Sequence, residues 1–203
     1  MIIIVDYGMG NLGSVLNMFK KVGAPAMISS DLDVISKAQK ILLPGVGSFD
    51  AAMQKIEGSG MKEVLNQKAL VEKVPVLGIC LGMQLLTNFS EEGMLPGLGW
   101  INGGAHHFKS RISETYRIPH MGWNLVEVVQ ENTLTDGFQD EVRFYFVHSY
   151  YVIVNDLTNS LMKTNYGIKF DSAIVKDNIF GAQFHPEKSH KFGMKLFQNF
   201  AKI

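Results

Sequence analysis

The sequence predicts an α/β fold, a mostly parallel sheet covered by helices and extended by antiparallel strands. In the first half, short apolar runs alternate with helical patterns, which is typical of a parallel sheet. In the second half, strand-like runs follow one another with short turns, which favours antiparallel pairing. The chain has 203 residues without an evident linker or internal repeat, so we expect one domain over residues 1–203.

The first half supplies four predicted strands and four predicted helices. The helix at NLGSVLNMFKKVG places Leu12, Val15, Leu16 and Phe19 on one face and ends at Gly23, a common stop signal. The predicted strands are MIIIV, APAMIS, KILLPG and VPVLGIC, and the other predicted helices are FDAAMQKIEGSG, MKEVLNQKALVEK and LGMQLLTNF. Strand and helix thus follow each other at the spacing of βαβ units.

The second half reads as strands followed by a final helix. The predicted strands are WNLVEVV, VRFYFVHSYYVIV, SLMKTNY, SAIVKD and IFGAQF. The last segment, HKFGMKLFQNFAKI, spaces Phe192, Leu196, Phe197 and Phe200 as one face of an amphipathic helix. We expect this aromatic stripe to pack in the core.

Composition excludes several classes of protein. Lys plus Arg and Asp plus Glu both number 19, so the chain lacks the basic surplus expected for binding nucleic acid or an anionic membrane. The single cysteine excludes an internal disulfide and favours a reducing, cytoplasmic location. No apolar run reaches the roughly 20 residues that span a bilayer. No Cys or His set has metal-ligand spacing, so we expect neither a metal nor a cofactor.

The cysteine lies in the segment Gly78-Ile79-Cys80-Leu81-Gly82, between a predicted strand and a predicted helix. A nucleophile elbow has this pattern, because side chains at the flanking positions would collide with the strand and helix. The turn would expose the sulfur at a helix N-terminus, which favours the thiolate. The backbone N–H of Leu81 would point to where an oxyanion forms.

A nucleophilic cysteine needs a base and a group that orients the base. Among the six histidines, His185 is the best candidate because it ends the strand-like run IFGAQF and is followed by Pro186 and Glu187. Proline fixes the chain locally, so Glu187 can accept a hydrogen bond from the ring of His185. The sequence therefore predicts a Cys80–His185–Glu187 triad.

A glycine-rich turn follows another predicted strand, at LLPGVGSFD. Pro44, Gly45 and Gly47 form a tight turn that can present the backbone N–H groups of Val46, Gly47 or Ser48 to an oxyanion.

The segment GMGNLG, residues 8–13, supports a different hypothesis. It follows a strand, opens a helix and precedes an acid, Asp31, by roughly 20 residues, as in a dinucleotide-binding fingerprint. A dinucleotide-binding oxidoreductase is therefore an alternative, although it leaves Cys80, the PGVGS turn and the HPE segment unexplained.

The motifs GICLGMQLL and QFHPEKS resemble the triad-bearing motifs of the class I glutamine amidotransferases. The resemblance continues along essentially the whole chain through VDYGMGNLGSV, LLPGVGSFD, SEEG, GLGW, PHMGWN and YFVHSYYV. It implies a flavodoxin-like fold and a glutaminase in which Cys80 attacks the side-chain amide of glutamine. His185 would protonate the leaving ammonia and later activate water, and Glu187 would orient His185.

The same resemblance implies the remaining parts of a site. The oxyanion hole would use the Val46–Gly47 peptide, whose orientation can change, together with Leu81. Gln84, one helical turn after Cys80, and the segment Ser149–Tyr150 would bind glutamine.

The resemblance also implies a partner, because ammonia is mostly protonated in neutral water and must be passed on directly. That partner is a HisF-type (β/α)8-barrel synthase subunit of histidine biosynthesis, docked near the GMGNLG segment. INGGAHHFKS, with Gly104, His106 and His107, departs from this pattern and leaves open a paralogue that feeds a sugar-amidating synthase in surface polysaccharide biosynthesis. A partner-binding module without activity is a further alternative.

Overall fold

The computed structural model describes residues 1–109, 111–139 and 141–203. The strands are β1 Ile2–Val5, β2 Ala26–Ser29, β3 Lys40–Leu43, β4 Val76–Ile79, β5 Phe89–Ser90, β6 Gly103–His107, β7 His120–Val128, β8 Val142–His148, β9 Tyr150–Val154, β10 Ser160–Asn165, β11 Lys169–Lys176 and β12 Ile179–Ala182. The helices are α1 Leu12–Lys21, α2 Leu32–Ser36, α3 Phe49–Gly58, α4 Met61–Asn66, α5 Leu81–Leu85 and α6 His190–Lys202.

One large sheet combines a parallel and an antiparallel part, and this confirms the predicted fold class. Strands β2-β1-β3-β4-β12 are parallel neighbours in that order. The order continues with antiparallel pairing through β11-β10-β7-β8, while β9 pairs with β11 and β6. Because β12 lies beside β4, the chain that leads to His185 runs next to the chain that leads to Cys80.

The parallel strands inside the sheet, β1, β3, β4 and β12, are buried on both faces, as their apolar sequences predict, whereas the edge strand β2 is partly exposed. In β1, Ile2 and Ile4 belong to one apolar cluster and Ile3 and Val5 to the other. Helices α1 and α6 cover the first face, where Phe19 packs edge-on against Phe197 at a centroid distance of 4.7 Å. Helices α3 and α4 contribute to the cluster on the second face.

The predicted strand VRFYFVHSYYVIV was wrong as a single element, because the chain bends at Ser149. Before the bend β8 pairs with β7, and after it β9 pairs with β6 and β11. The uninterrupted apolar and aromatic run carries no Gly or Pro to mark this change of partner. The bend turns Ser149 and Tyr150 toward a pocket described below.

One helix was not predicted, and two predicted helices need correction. Helix α2 was missed; Asp31 caps it by accepting hydrogen bonds from the N–H groups of Asp33 and Val34. The helix predicted at LGMQLLTNF ends after Leu85, and the one at MKEVLNQKALVEK passes from α4 into a π-helical turn, Gln67–Val71.

Within the described residues, no helix is long and apolar enough to cross a membrane. The same residues contain no group of three or more His, Cys, Asp or Glu side chains arranged to hold a metal ion.

Candidate active site

Cys80 lies at a strained turn between β4 and α5. Its φ of 53° and ψ of −109° are unusual for a residue with a side chain. A Cβ atom at Gly78 would lie 2.6 Å from the carbonyl oxygen of Gly82, and one at Gly82 would lie 1.9 Å from that of Leu43. Both glycines are therefore required by close backbone packing, which confirms their predicted role at the elbow.

His185 and Glu187 form a buried pair behind the cysteine. Nδ1 of His185 lies 2.7 Å from Oε1 of Glu187, and both side chains are 2% exposed. This contact fixes the ring so that Nε2 is its free nitrogen, and Nε2 has no hydrogen-bond partner among the described residues. A base with its second nitrogen held by a carboxylate has the geometry of a triad.

The backbone around His185 is tied to β8. The N–H of His185 donates to the carbonyl of Tyr145 at 2.8 Å. The hydroxyl of Ser189 donates to the carbonyl of His185 at 2.7 Å and accepts from the N–H of Tyr145 at 3.0 Å. Ser189 is fully buried, so this bridge fixes the turn that carries the histidine.

Burial by itself would lower the pKa of His185. Cys80 and the Glu187 carboxylate outweigh that effect and raise the pKa of His185 to about 10. The imidazolium form is therefore stabilised, as an ion pair with a thiolate requires.

A pocket of about 330 Å³ opens in front of Cys80. Seven of the residues predicted for the site line it: Val46, Gly47, Cys80, Leu81, Gln84, Ser149 and Tyr150. The other lining residues are Glu92, Pro119, Val147 and His148. His185 and Glu187 do not line the pocket; they follow β12, which pairs with β4, the strand that leads to Cys80.

The turn that carries Val46 and Gly47 is held from below by Tyr7. The buried Tyr7 hydroxyl donates to the carbonyl of Pro44, and burial together with nearby Cys80 raises the pKa of Tyr7. A Cβ atom at Gly45 would lie 2.8 Å from both Leu81 Cβ and Tyr7 Oη, so this glycine allows the turn to reach the elbow. Leu81 occupies the first helical position, whose N–H has no partner inside the helix.

The carbonyl oxygen of Tyr150 is a meeting point of polar side chains. Nε2 of Gln84 donates to it at 3.3 Å, and Nδ1 of His148 donates to it at 2.7 Å. Nε2 of His148 then accepts from Nδ1 of His120 at 3.0 Å, and Nε2 of His120 accepts from the amide of Asn124 at 3.2 Å. Because the Tyr150 carbonyl can only accept, Nδ1 of His148 must carry a proton and its Nε2 must accept. Nδ1 of His120 must therefore carry a proton as well.

Four polar residues of the site were not predicted from the sequence. Gln183 contacts Gln84 and Cys80, and Glu92 lines the pocket while its Oε2 accepts from the N–H of Phe49 at 2.9 Å. Gln183 could have been found, because it lies only two residues before His185, in the segment QFHPEKS. Tyr7 and His148 reach the site only through the fold.

The acidic residue of the dinucleotide hypothesis has another role. Both hydrogen bonds of the Asp31 carboxylate go to the first turn of α2. The glycine turn after β1 packs on the neighbouring loop, where a Cβ atom at Gly10 would lie 3.3 Å from Cβ of Pro44.

Comparison with known proteins identifies the class that this fold and site define. The family model "Glutamine amidotransferase class-I" matches residues 3–203. The chain belongs to the class-I glutamine amidotransferase family.

Full-length relatives narrow the comparison. The chain is 57% identical over 202 residues to the imidazole glycerol phosphate synthase subunit HisH 2 of Methanococcus maripaludis, covering 100% of this chain and 99% of the relative. It is 50% identical to the subunit HisH 2 of Pseudomonas aeruginosa over 100% of both chains. Subunit HisH of Bdellovibrio bacteriovorus is 47% identical, again over both full lengths.

Solved structures agree on the fold. A crystal structure of a glutamine amidotransferase superposes with a TM-score of 0.73 at 16% identity over 100% of both chains. The structure of PurLQS from Thermotoga maritima gives a TM-score of 0.73 at 20% identity over 99% of this chain and 97% of that one.

Proposed function

We propose that this chain is the glutaminase subunit of an imidazole glycerol phosphate synthase. Residues 1–203 would act as a single glutamine amidotransferase type 1 domain in the cytoplasm, without a metal or cofactor. The observation that carries the proposal is Cys80 at a strained turn, facing a pocket, with the His185–Glu187 pair beside it. The HisH names of full-length relatives support the same function.

The chemistry follows from the positions of three side chains. Cys80 transfers its proton to Nε2 of His185, and the thiolate attacks the side-chain carbonyl carbon of glutamine. The tetrahedral intermediate collapses when the imidazolium gives its proton to the leaving nitrogen, which releases ammonia and leaves a glutamyl thioester. His185 then takes a proton from water, and the hydroxide attacks the thioester carbonyl. The C–S bond breaks, glutamate is released, and the imidazolium returns its proton to the sulfur.

Backbone donors stabilise the oxyanion in this proposal. Leu81, Val46 and Gly47 line the same pocket as Cys80, so their N–H groups are the candidate donors. Gly47 has a φ of 122°, a conformation open to glycine, so this peptide can turn its N–H toward or away from the pocket.

Polar groups at the pocket wall suit the amino-acid end of glutamine. Glu92 offers a carboxylate to the substrate ammonium, and Ser149 and Tyr150 line the same cavity. Gln84 reaches the pocket and is held by the Tyr150 carbonyl.

An exposed apolar surface borders the pocket. Val46, Met121 and Trp123 are large apolar side chains that are 46%, 62% and 47% exposed. Pro119 lines the pocket two residues before Met121, so a protein covering this surface would also close the pocket. We propose that the partner is a HisF-type (β/α)8-barrel synthase subunit, which receives the ammonia before water protonates it.

A second acceptor is favoured by one observation. The segment INGGAHHFKS, with Gly104, His106 and His107, departs from the pattern expected of the histidine-pathway subunit. The second candidate is therefore a HisH-like subunit that supplies a sugar-amidating synthase of surface polysaccharide biosynthesis.

One experiment tests both acceptors. Glutamate release is measured for the chain alone, with a purified HisF and its nucleotide ligand, and with a sugar-amidating synthase. Strong stimulation by HisF supports the histidine pathway, and stimulation by the other synthase alone moves the proposal to the second acceptor. Absence of turnover in every mixture, together with no labelling of Cys80 by a glutamine-mimicking affinity reagent, contradicts the glutaminase function.

A further inference from the structure

The amide of Gln183 lies between two groups of the candidate site. Its side chain is fully buried, with Oε1 3.2 Å from Nε2 of Gln84 and Nε2 3.7 Å from Sγ of Cys80. A buried amide forms hydrogen bonds that its surroundings dictate. Its two ends differ in chemistry, so its orientation decides whether the sulfur meets a donor or an acceptor.

The Tyr150 carbonyl decides that orientation. It can only accept, so the end of Gln84 that approaches it must be the NH2 group. The same NH2 group approaches Gln183, which therefore presents its oxygen to Gln84. The remaining end of Gln183, its NH2 group, must face Cys80.

We propose that Gln183 is a catalytic residue that donates a hydrogen bond to Sγ of Cys80 and stabilises the thiolate, through an amide relay of Gln183 and Gln84 fixed by the Tyr150 carbonyl. The inference rests on the proposed function, because it concerns the nucleophile of that reaction. When the proton of the thiol moves to Nε2 of His185, the sulfur becomes an anion and the Gln183 N–H···S contact becomes charge-assisted. Charge-assisted hydrogen bonds are stronger than neutral ones.

The structure also explains why such a donor is needed. Helix α5 has only five residues, so its dipole is short. Cys80 as a whole residue is only 7% exposed, so its side chain has little access to water. A fixed donor replaces the solvation that the anion loses.

The relay links substrate binding to the nucleophile. Residues 149 and 150 line the pocket, and the Tyr150 carbonyl is the first group of the relay. A shift of that peptide would release Gln84 and then Gln183, and the thiolate would lose its donor.

The test measures the pH dependence of Cys80 alkylation by iodoacetamide, which reports the thiolate directly and does not require glutamine turnover. In Gln183→Met, a side chain of similar length without a donor, we expect the alkylation midpoint to rise by about one to two pH units. Gln183→Glu places an anion beside the sulfur and should raise the midpoint further. Gln84→Met keeps Gln183 but frees its orientation, so its midpoint should fall between those of the wild type and Gln183→Met.

Asn199→Ala is the matched control. Asn199 is a buried amide that donates to the carbonyls of Leu134 and Asp136, away from the relay. Its removal should lower the melting temperature without moving the alkylation midpoint. If Gln183→Met does not fold, Gln183→Glu and Gln84→Met carry the test.

Unchanged midpoints in folded Gln183 variants would overturn the proposal, and so would a lower midpoint in Gln183→Met, because the sulfur would then face an acceptor. A failure of the proposed glutaminase function would give a different result. In that case wild-type Cys80 is not labelled by the glutamine mimic, while the midpoints still measure the effect of Gln183.

Discussion

Two histidine regions of the candidate site have opposite electrostatics. On one side His185 interacts with Cys80 and Glu187, and its pKa is raised to about 10. On the other, burial lowers the pKa of His148 to about 3, with His120 and His185 adding to the effect, and burial lowers the pKa of His120 to about 4. His185 has partners that can be anionic, whereas His120 and His148 have no carboxylate among their hydrogen-bond partners in the described residues and contact each other, the Tyr150 carbonyl, the Asn124 amide and aromatic rings.

The comparison teaches that burial alone does not decide what a histidine does. His120 and His148 are each 5% exposed or less, and so is His185. A neighbouring acid turns one ring into a proton carrier, while its absence keeps the other two neutral as structural hydrogen-bond groups. The first region suits proton transfer, and the second suits holding the Tyr150 carbonyl in place.

The largest expected effect comes from removing the nucleophile beside His185. Cys80→Ala should reduce glutamate release in the presence of the partner by at least about 10³-fold, because no thioester can form. As a control, the complex supplied with ammonium salt in place of glutamine should still convert the acceptor. Retained glutamine turnover in Cys80→Ala would contradict the assigned nucleophile.

Glu187→Gln should reduce kcat by about 10²–10⁴-fold, since the neutral amide no longer holds the tautomer or stabilises the imidazolium. The raised pKa of His185 also has a consequence for stability. Its contribution is present below about pH 6.5 and is lost as pH rises toward about 10. In Glu187→Gln the pKa of His185 falls, so urea unfolding should show the alkaline loss at lower pH, and an unchanged alkaline limb would argue against the pairing.

His120→Phe tests the second histidine region, that of His120 and His148. Phenylalanine keeps the ring between Phe146 and Tyr166, with which His120 stacks at centroid distances of 4.7 and 3.9 Å, but removes the donor to His148. We expect KM for glutamine to rise several-fold with a smaller change in kcat, because the Tyr150 carbonyl loses support. The conservative variant His120→Asn retains a donor near the Nδ1 position and should restore part of the loss.

His120→Phe also tests how the free energy of unfolding falls at acidic pH. Because both pKa values are depressed, the stabilisation by neutral His120 and His148 is present above about pH 6.5 and is lost as pH falls toward 4 and then 3. Each proton taken up on unfolding contributes a slope of about 1.4 kcal/mol per pH unit. His120→Phe removes one titrating group, so the free energy of unfolding between pH 6.5 and 4 should fall less steeply. An identical slope would show that other groups dominate.

Ser189→Ala should have the smallest effect. It removes the hydroxyl that bridges His185 and Tyr145 and leaves a backbone N–H without that partner, which destabilises by about 1–3 kcal/mol. Activity should fall only a few-fold, since Glu187 still orients the ring. Urea unfolding and kcat measured side by side would separate the two effects, and a catalytic loss as large as that of Glu187→Gln would show that the turn needs this bridge.

The parts of the molecule that local sequence determines were predicted well. The glycine elbow, the alternation of strands and helices and the short His185–Glu187 spacing depend on residues within a few positions of one another. The bend at Ser149 was not predicted, because it reflects a change of pairing partners rather than a turn residue. The helix after Cys80 is shorter than its apolar pattern suggested, since the chain after Leu85 joins the loop toward β5.

The side chains that reach the site from elsewhere were harder to predict. Tyr7 lies 73 positions before Cys80 in the sequence, and only the packing of β1 beside β3 brings it under the Pro44 turn. His148 is one of six histidines, and its sequence neighbours do not indicate that its ring donates to a backbone carbonyl of the site.

The point where the two regions meet is a main-chain oxygen, that of Tyr150. Amino-acid replacement at this position can alter the ring, which packs edge-on against His107 at 4.8 Å, but it cannot delete the carbonyl. The junction is thus protected from sequence drift, and evolution can change it only indirectly, through the residues that bind it or through the path of the backbone.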